Sequence, residues 1–369
     1  MNKIKVLMIS SSGALGGGPN LMFLLGNKLG DSIDVYYAIP KSKNYEKILN
    51  SKNHIDIKER KIFIKDIFII ISFIRRNSIN IIHAHGKGAG LIARILKILL
   101  KIPIIYTYHG IHLKCHNKLS NFVYVLYENI FSYFDDQKIF VSESEKKYAL
   151  NSGLKIGQKY SIIHNGVRNR KRKTTNKDFK NSVKKNHLRI ISICRFVSQK
   201  NIYEILKIAY RLPLHKFIII GEGPLWENIN TEKKRLNLAN VQLLGLKKNV
   251  FKYLKESDLY LSTSLYEGLP ISIIEAMSIG LPILASNVVG NKDTVLHNES
   301  GFLYDLGDIQ KAQYYINLIG DDLKLRNKIG KASYLRQKQY FNIASTAINR
   351  RQELKHGLNN VKSNTKNRL

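Results

Sequence analysis

Two glutamates bracket the segment Glu267-Gly-Leu-Pro-Ile-Ser-Ile-Ile-Glu275. The first precedes a Gly-Leu-Pro turn, and the second falls inside an apolar helical run. Pro270 suits the first turn of a helix, where its missing N–H would have no partner anyway. Backbone N–H groups of the following turn, with the helix dipole, can hold a phosphate. A carboxylate on either side of it can accept hydrogen bonds from hydroxyls. Such an arrangement can hold a sugar nucleotide. A glutamate set among Ile273, Ile274, Ala276 and Met277 is poorly explained as a solvated surface charge.

Other reactive residues sit where apolar runs end. Arg195 and Lys200 stand in Ile193-Cys-Arg-Phe-Val-Ser-Gln-Lys-Asn201. Two cations at a strand's carboxyl end can neutralise a pyrophosphate that gains charge as its bond breaks. Arginine can grip it through two donors, whereas lysine acts as a point charge. Gly13-Ala-Leu-Gly-Gly-Gly-Pro-Asn20 follows the first strand, and its small residues let the backbone approach a ligand. His109, in Thr107-Tyr-His-Gly110, ends another strand before a glycine and is placed to reach a cleft. His83 and His85 lie in Ile82-His-Ala-His-Gly-Lys-Gly-Ala-Gly90; His85 reads as site-lining and His83 as structural. That stretch lacks the Gly-Lys-Ser/Thr ending of an ATPase phosphate loop. The histidine pair has no carboxylate or cysteine at ligand spacing, so no metal is expected.

The elements that must position these residues alternate along the chain. Short β-branched runs predict strands at 4–9, 33–39, 79–83, 102–106, 138–141 and 161–163, then at 188–193, 216–220, 241–244, 258–262 and 282–285. Helical patterns lie between them at 20–29, 91–100, 122–133 and 144–152, then at 203–211, 225–236, 250–256 and 272–279. The run 67–74 fits either a buried helix or a strand. Near-continuous apolar strands alternating with helices mean parallel sheets covered on both faces. The predicted fold class is therefore α/β, with two Rossmann-like domains facing each other across a cleft. Expected boundaries are 1–167 for an N-terminal domain, 168–188 for a basic linker and 189–340 for a C-terminal domain. Residues 341–369 read as a helix returning toward the first domain, followed by a disordered tail. Ligands of doubly wound sheets bind beyond the carboxyl ends of the strands, so the cleft is the expected site.

Charge constrains the partners. The chain has a formal net charge of +33, with 60 Lys and Arg against 27 Asp and Glu. Residues 166–189 carry ten basic groups and one acidic, whereas 190–340 carry 20 and 14. The excess thus avoids the segment holding the glutamate pair. A nucleic acid or an anionic membrane surface could answer it. No recognised nucleic-acid module is present, and the aromatics are not interleaved with the basic runs, so nucleic acid is not expected. No segment has the ~18 uncharged apolar residues of a membrane span. The N-terminus lacks a small-residue cleavage site, which predicts a cytoplasmic protein. Cys115 and Cys194 stand in no metal or redox spacing and read as free thiols.

Taken together, these residues resemble family 4 of the retaining glycosyltransferases, with the two-domain GT-B fold, from about residue 4 to about residue 340. Bacterial enzymes of capsule, O-antigen and exopolysaccharide synthesis are the most similar kind. The resemblance implies that Glu267 binds donor-sugar hydroxyls and Glu275 the ribose hydroxyls. Backbone groups around Gly268, Leu269, Pro270 and Ile271 would meet the sugar and pyrophosphate, which Arg195 and Lys200 would grip. Asn201 replaces the glycine that usually follows that lysine, which should slightly alter the turn. Gly16 and Gly17 would approach the donor phosphate and the acceptor. Pro19 and Asn20 depart from the family, which often carries Glu or Gln there. His109 would lie at the anomeric centre, with His85 and Asn20 on the acceptor side. Gly221, Gly223 and Leu246 belong to loops that bracket the nucleobase in the family, and Asn165-Gly166 to a structural turn.

The implied catalytic set is His109, Glu267, Arg195 and Lys200. The implied reaction moves a sugar from a nucleotide-sugar donor, UDP being the commonest nucleotide, to a hydroxyl of a polyprenyl-diphosphate-linked glycan. The anomeric configuration is kept, and no metal or other cofactor is expected. A peripheral site on the cytoplasmic face of the inner membrane would follow, with Lys97, Lys101, Lys114 and Lys118 suited to docking on anionic lipid. The rivals are a polybasic nucleic-acid-binding protein and a nucleotide-sugar epimerase or phosphorylase on the same fold. The Arg/Lys pair together with the two glutamates argues against the enzyme rival, and no lysine stands in a pyridoxal-type setting.

Overall fold

The computed structural model describes residues 3–13, 17–30, 32–42, 45, 53–59, 61, 63–111, 113, 118–170 and 187–366, with side chains to 358. The chain divides into two compact units, Met1–Gly166 with Ile343–Leu369, and Val167–Asn342. Each is built on a sheet in which every paired strand runs parallel.

The first sheet comprises β1 (Ile4–Ser10), β2 (Ile33–Ile39), β3 (His54–Asp56), β4 (Ile81–His85), β5 (Ile104–Thr107), β6 (Gln137–Phe140) and β7 (Tyr160–Ile162), in the order β3-β2-β1-β4-β5-β6-β7. Alternate side chains of one strand point to opposite faces. Leu7, Ile9, Ile82, Ile104 and Phe140 enter a core with the helices Ile64–Asn77 and Lys87–Leu100. Val6, Met8, Ile81, Ile105 and Ile139 enter a second core with the helices Gly17–Gly26 and Ile343–Lys366. Being buried on both faces is why these strands read as unbroken apolar runs.

The second sheet comprises β8 (Arg189–Ile193), β9 (Lys216–Ile220), β10 (Val241–Leu243), β11 (Leu259–Ser262), β12 (Ile283–Ser286) and β13 (Gly301–Tyr304), in the order β10-β9-β8-β11-β12-β13. Leu188, Ile190, Phe217, Ile219 and Leu261 share a core with the helices Ile202–Arg211 and Ile309–Asp321.

Several elements depart from the sequence reading. β3 and β13 are short and escape the apolar-run criterion. The run 67–74, left open between helix and strand, lies in the helix Ile64–Asn77. Where a disordered tail is expected, helix continues to Lys366. Most of the basic linker, 171–186, lies outside the described residues, as do Gly16, Lys114 and Cys115. Among the described residues no helix is long and apolar enough to cross a membrane.

The helix Lys118–Phe131 packs Tyr124 and Val125 against the first core but leaves an apolar stripe outside. Glu128 is its only fully buried residue, while Leu119, Phe122, Val123, Leu126 and Ile130 face solvent. Glu128 explains this orientation. Arg94, 1% exposed, donates to Glu128 Oε2 at 2.9 Å and to Asp135 through two bonds of 3.0 and 2.7 Å. Tyr108 adds a bond to the same Glu128 oxygen at 2.9 Å. The polar network is buried, so the helix's apolar stripe is left outside. Removing one partner of a buried ion network strands the others without a counter-charge. Arg94→Met should therefore destabilise the protein by about 3–5 kcal/mol, read as a lower urea midpoint by circular dichroism. An unchanged midpoint would show that the network contributes nothing.

Candidate active site

The second sheet reverses its winding between β8 and β11, with β9 and β10 on one side and β12 and β13 on the other. A crevice forms outside the carboxyl ends of the strands at such a switch point. β8 leads to Arg195 and the short 3₁₀ turn Ser198–Lys200; β11 leads to Ser264, Glu267 and the helix Ile271–Met277.

Lys200 and Glu267 meet across this switch point. Lys200 Nζ donates to Glu267 Oε1, and Ser264 Oγ donates to the same oxygen at 2.7 Å. Glu267 is 7% exposed. Both bonds fall on Oε1, which leaves Oε2 to accept from a ligand. The lysine ammonium has three donors and uses one of them here. Backbone bonds fix the two loops against each other. Leu265 N donates to Gln199 O at 2.8 Å, and Gln199 Nε2 donates back to Tyr266 O at 2.9 Å. Thr263 Oγ1 reaches Lys200 O and Asn201 O at 2.9 and 3.0 Å. Asn201 has φ +47°, the left-handed region that glycine enters freely and asparagine tolerates better than most residues. It can thus make a turn of the kind a glycine makes.

Gly290 supports the same loop from β12. An added Cβ there would lie 2.6 Å from Gly268 O and 2.9 Å from the Glu267 carbonyl carbon. Glu267 N donates to Val289 O at 3.1 Å. Pro270 stands one position before the helix, as its N-cap with φ −74° and ψ 109°, rather than in its first turn.

Glu275 lies inside the Ile271 helix. It keeps some exposure, yet the surrounding protein pushes its carboxyl up to about 7, partly offset by the charge of Arg170. Arg170 itself stacks over the Phe251 ring at 3.8 Å. Arg195 is exposed at the edge of the crevice. Gly221 and Gly223 lie against the β8 loop: a Cβ on Gly221 would sit 1.8 Å from Cys194 O, and one on Gly223 2.6 Å from Phe196 O. Gly221 N donates to Gly245 O at 3.0 Å, so the loops after β8, β9 and β10 are laced through backbone. Leu246 follows in that array and is exposed.

The first sheet has its own switch point, between β1 and β4. β1 leads toward the helix Gly17–Gly26, so Gly17 and Asn20 occupy its first turn. Tyr45 Oη donates to Asn20 Oδ1 at 3.1 Å. β4 ends on His85 and β5 leads to His109. His85 Nδ1 and His109 Nε2 are 3.1 Å apart, with the rings stacked at 14°. His83 Nε2 instead contacts Thr107 Oγ1 at 2.9 Å.

Two family models match this chain in succession: one of glycosyltransferase family 4 over residues 16–170, and one of glycosyl transferases group 1 over 173–336. The chain is a family 4 glycosyltransferase. It is similar to an Escherichia coli enzyme described as UDP-Gal:alpha-D-GlcNAc-diphosphoundecaprenol alpha-1,3-galactosyltransferase, at 29% identity over 72% of this chain and 75% of that one. A Staphylococcus aureus capsular polysaccharide biosynthesis glycosyltransferase, CapM, is 25% identical over 81% of this chain and 83% of the relative. Among solved structures, Anabaena HepE in complex with UDP-glucose superposes with a TM-score of 0.80 at 18% identity, covering 97% of this chain and all of that one. Sucrose-phosphate synthase from Thermosynechococcus elongatus gives 0.80 at 19% identity, covering 96% and 99%. At these identities the structures show the fold, which is GT-B.

For this glycosyltransferase, sequence reasoning named the residues that could touch a ligand and missed those that hold them. Ser264, three residues before Glu267, carried a signal in its turn spacing. Gly290, Arg170 and Gln199 carried none, because their roles arise from distant loops.

The raised pKa of Glu275 has a signed consequence. Its folded value of about 7 lies above that of an unfolded glutamate, so folding favours the protonated form. Ionisation therefore costs stability increasingly from about pH 4.3 to 7 and fully above that. Glu275→Gln should raise the melting temperature of the ligand-free enzyme at pH 8 and leave it unchanged at pH 4. Equal shifts at both pH values would contradict the assignment.

Proposed function

We propose that this glycosyltransferase moves a sugar from a UDP-sugar to a hydroxyl of a lipid-linked glycan, with retention at the anomeric carbon, during assembly of a bacterial surface polysaccharide. The Lys200–Glu267 pair at the second switch point carries the reading, because it offers a ligand one cationic donor and one carboxylate acceptor side by side. The names of the Escherichia coli and Staphylococcus aureus relatives support the acceptor class and the pathway, and the UDP-glucose complex of the Anabaena neighbour supports the donor class.

In this mechanism Glu267 Oε2 accepts a hydrogen bond from a donor-sugar hydroxyl. Arg195 and the remaining N–H groups of Lys200 meet the diphosphate, with backbone groups from Gly268 to Ile271 beside them. Gly221, Gly223 and Leu246 border the base. Glu275 accepts from the ribose hydroxyls, and Gly16 and Gly17 approach the phosphate. His85 and Asn20 belong to the acceptor side, and His109 meets the sugar. The bond between the anomeric carbon and the diphosphate oxygen breaks as the acceptor oxygen bonds to the same face. The acceptor's proton passes to the departing diphosphate. Charge on that leaving group is met by Arg195 and Lys200, so the scheme calls for no metal or other cofactor. Lys200→Ala and Glu267→Ala should each lower kcat roughly 100- to 1,000-fold in an assay containing EDTA, with circular dichroism unchanged. Near-normal turnover in both variants would refute the site.

The acceptor's lipid would place the enzyme on the cytoplasmic face of the inner membrane as a peripheral protein. Support comes from the Lys118 helix, whose exposed stripe includes Leu119 at 71% and Phe122 at 64%, and from exposed Phe68, Ile98 and Leu99 on neighbouring helices. Lys65, Lys101 and Lys118 are exposed beside these residues, and the one carboxylate of the Lys118 helix is buried. An apolar stripe edged by cations fits an anionic lipid surface. The enzyme should sediment with vesicles containing phosphatidylglycerol and less so in high salt. Phe122→Ser with Leu126→Ser should weaken that binding several-fold. Sedimentation indifferent to anionic lipid and salt would overturn this siting.

A further inference from the structure

A buried arginine in the first unit has no role in the scheme above. Arg350, on the helix Ile343–Lys366, is 1% exposed. Its Nη1 donates to Thr107 Oγ1 at 2.6 Å, while Nε and Nη2 have no hydrogen-bond partner among the described residues. The carboxylates that feel its charge point elsewhere. Glu353 Oε1 accepts from Ser161 Oγ at 2.6 Å; Glu145, on the helix Glu143–Asn151, accepts from the backbone N–H groups of Gly110 and Val141. Among the described residues no hydrogen bond or ion pair joins a carboxylate to the guanidinium, so Glu353 and Glu145 act on its charge only through space.

Around this cation lie three imidazoles. His83 and His85 alternate on β4, with ring centroids 4.2 Å apart, and His83 shares Thr107 Oγ1 with Arg350. His85 Nδ1 lies 3.1 Å from His109 Nε2. Two ring nitrogens at that separation attract only if one carries a hydrogen and the other a lone pair. Were both rings cationic, two N–H groups would face each other.

We infer that Arg350 is a positioning residue for His109: its buried guanidinium, reaching the histidine file through Thr107, holds the His85–His109 hydrogen bond in place and leaves Nδ1 as the free atom of the His109 ring. The guanidinium remains protonated at neutral pH, since burial lowers it only to about 9, with Glu353 and Glu145 opposing. A second positive charge beside it is unfavourable. His109 is accordingly pushed down to about 3 by burial and by Arg350, and His83 and His85 lie well below their usual value for the same reasons and through their ring neighbours. The ring thus offers a hydrogen bond to the sugar and keeps its proton inventory constant across the working pH range. It is not a general acid, which accords with the leaving diphosphate taking the acceptor's proton.

This assignment takes His109 as the sugar-facing residue of the proposed reaction, but its test needs no substrate. Imidazole NMR of the ligand-free full chain, with assigned histidine resonances, should show no titration of His85 or His109 between pH 5 and 8. In Arg350→Met, at least one of them should titrate within that window, which for His109 is an upward displacement of about two pH units or more. Arg350→Gln, which keeps a donor for Thr107, should behave the same way if the methionine variant does not fold. Arg350→Lys should stay silent. Titration of either ring in the wild type, or silent rings in both uncharged variants, would overturn the inference. A failure of sugar transfer alone would leave these spectra as expected.

Discussion

The loops that carry the proposed sugar-nucleotide site depend on strand direction. When all strands of a sheet run parallel, every loop that could carry a functional residue leaves from the same edge. Where the winding order reverses, two of those loops diverge and leave a crevice. β8 and β11 do this in the second unit, β1 and β4 in the first. Lys200 and Glu267 are 67 residues apart in sequence and meet because the two strands that deliver them are hydrogen-bonded neighbours. Glycines enforce the closeness: Gly221, Gly223 and Gly290 stand where any side chain would strike a neighbouring loop's backbone.

Burial then sets the chemistry of what the loops deliver. The ion pair at the second switch point is partly withdrawn from water, so its attraction is weakly screened and its geometry is held before a ligand arrives. Glu275, with no such partner, is pushed toward its protonated form. In the first unit burial, reinforced by the Arg350 charge, imposes the opposite state on the histidines by making their protonation unfavourable. The same low-dielectric physics also bears on the outward stripe of the Lys118 helix. Glu128 follows its counter-charge inward to Arg94, and the apolar stripe is left facing outward.

The architecture was largely legible because strands buried on both faces must be apolar throughout, and helices between them must be amphipathic. The strands near 4–9, 33–39 and 216–220 emerge almost as expected. Legibility failed where the signal is short or local. β13 has only four residues, and the first, Gly301, lies so close to Ile283 O that only Phe302, Leu303 and Tyr304 carry the apolar pattern. The helix Ile64–Asn77 could not be told from a strand over 67–74 because an isolated apolar run fits both periods. Pro270 was placed one residue too far into its helix, within the usual uncertainty of helix ends.

By itself the sequence determined which residues have the chemistry: cations after one strand, carboxylates around another, histidines and glycines after others. Those properties belong to residue type and to position relative to an apolar run, both of which are local. Tertiary structure alone decided how each is used. It placed Lys200 on Glu267 rather than in open solvent, brought Ser264 to the same oxygen and Arg170 near Glu275. It also carried Arg350 across 243 residues of sequence to Thr107. Contacts of that kind arise from strand order and loop packing, and no local pattern encodes them.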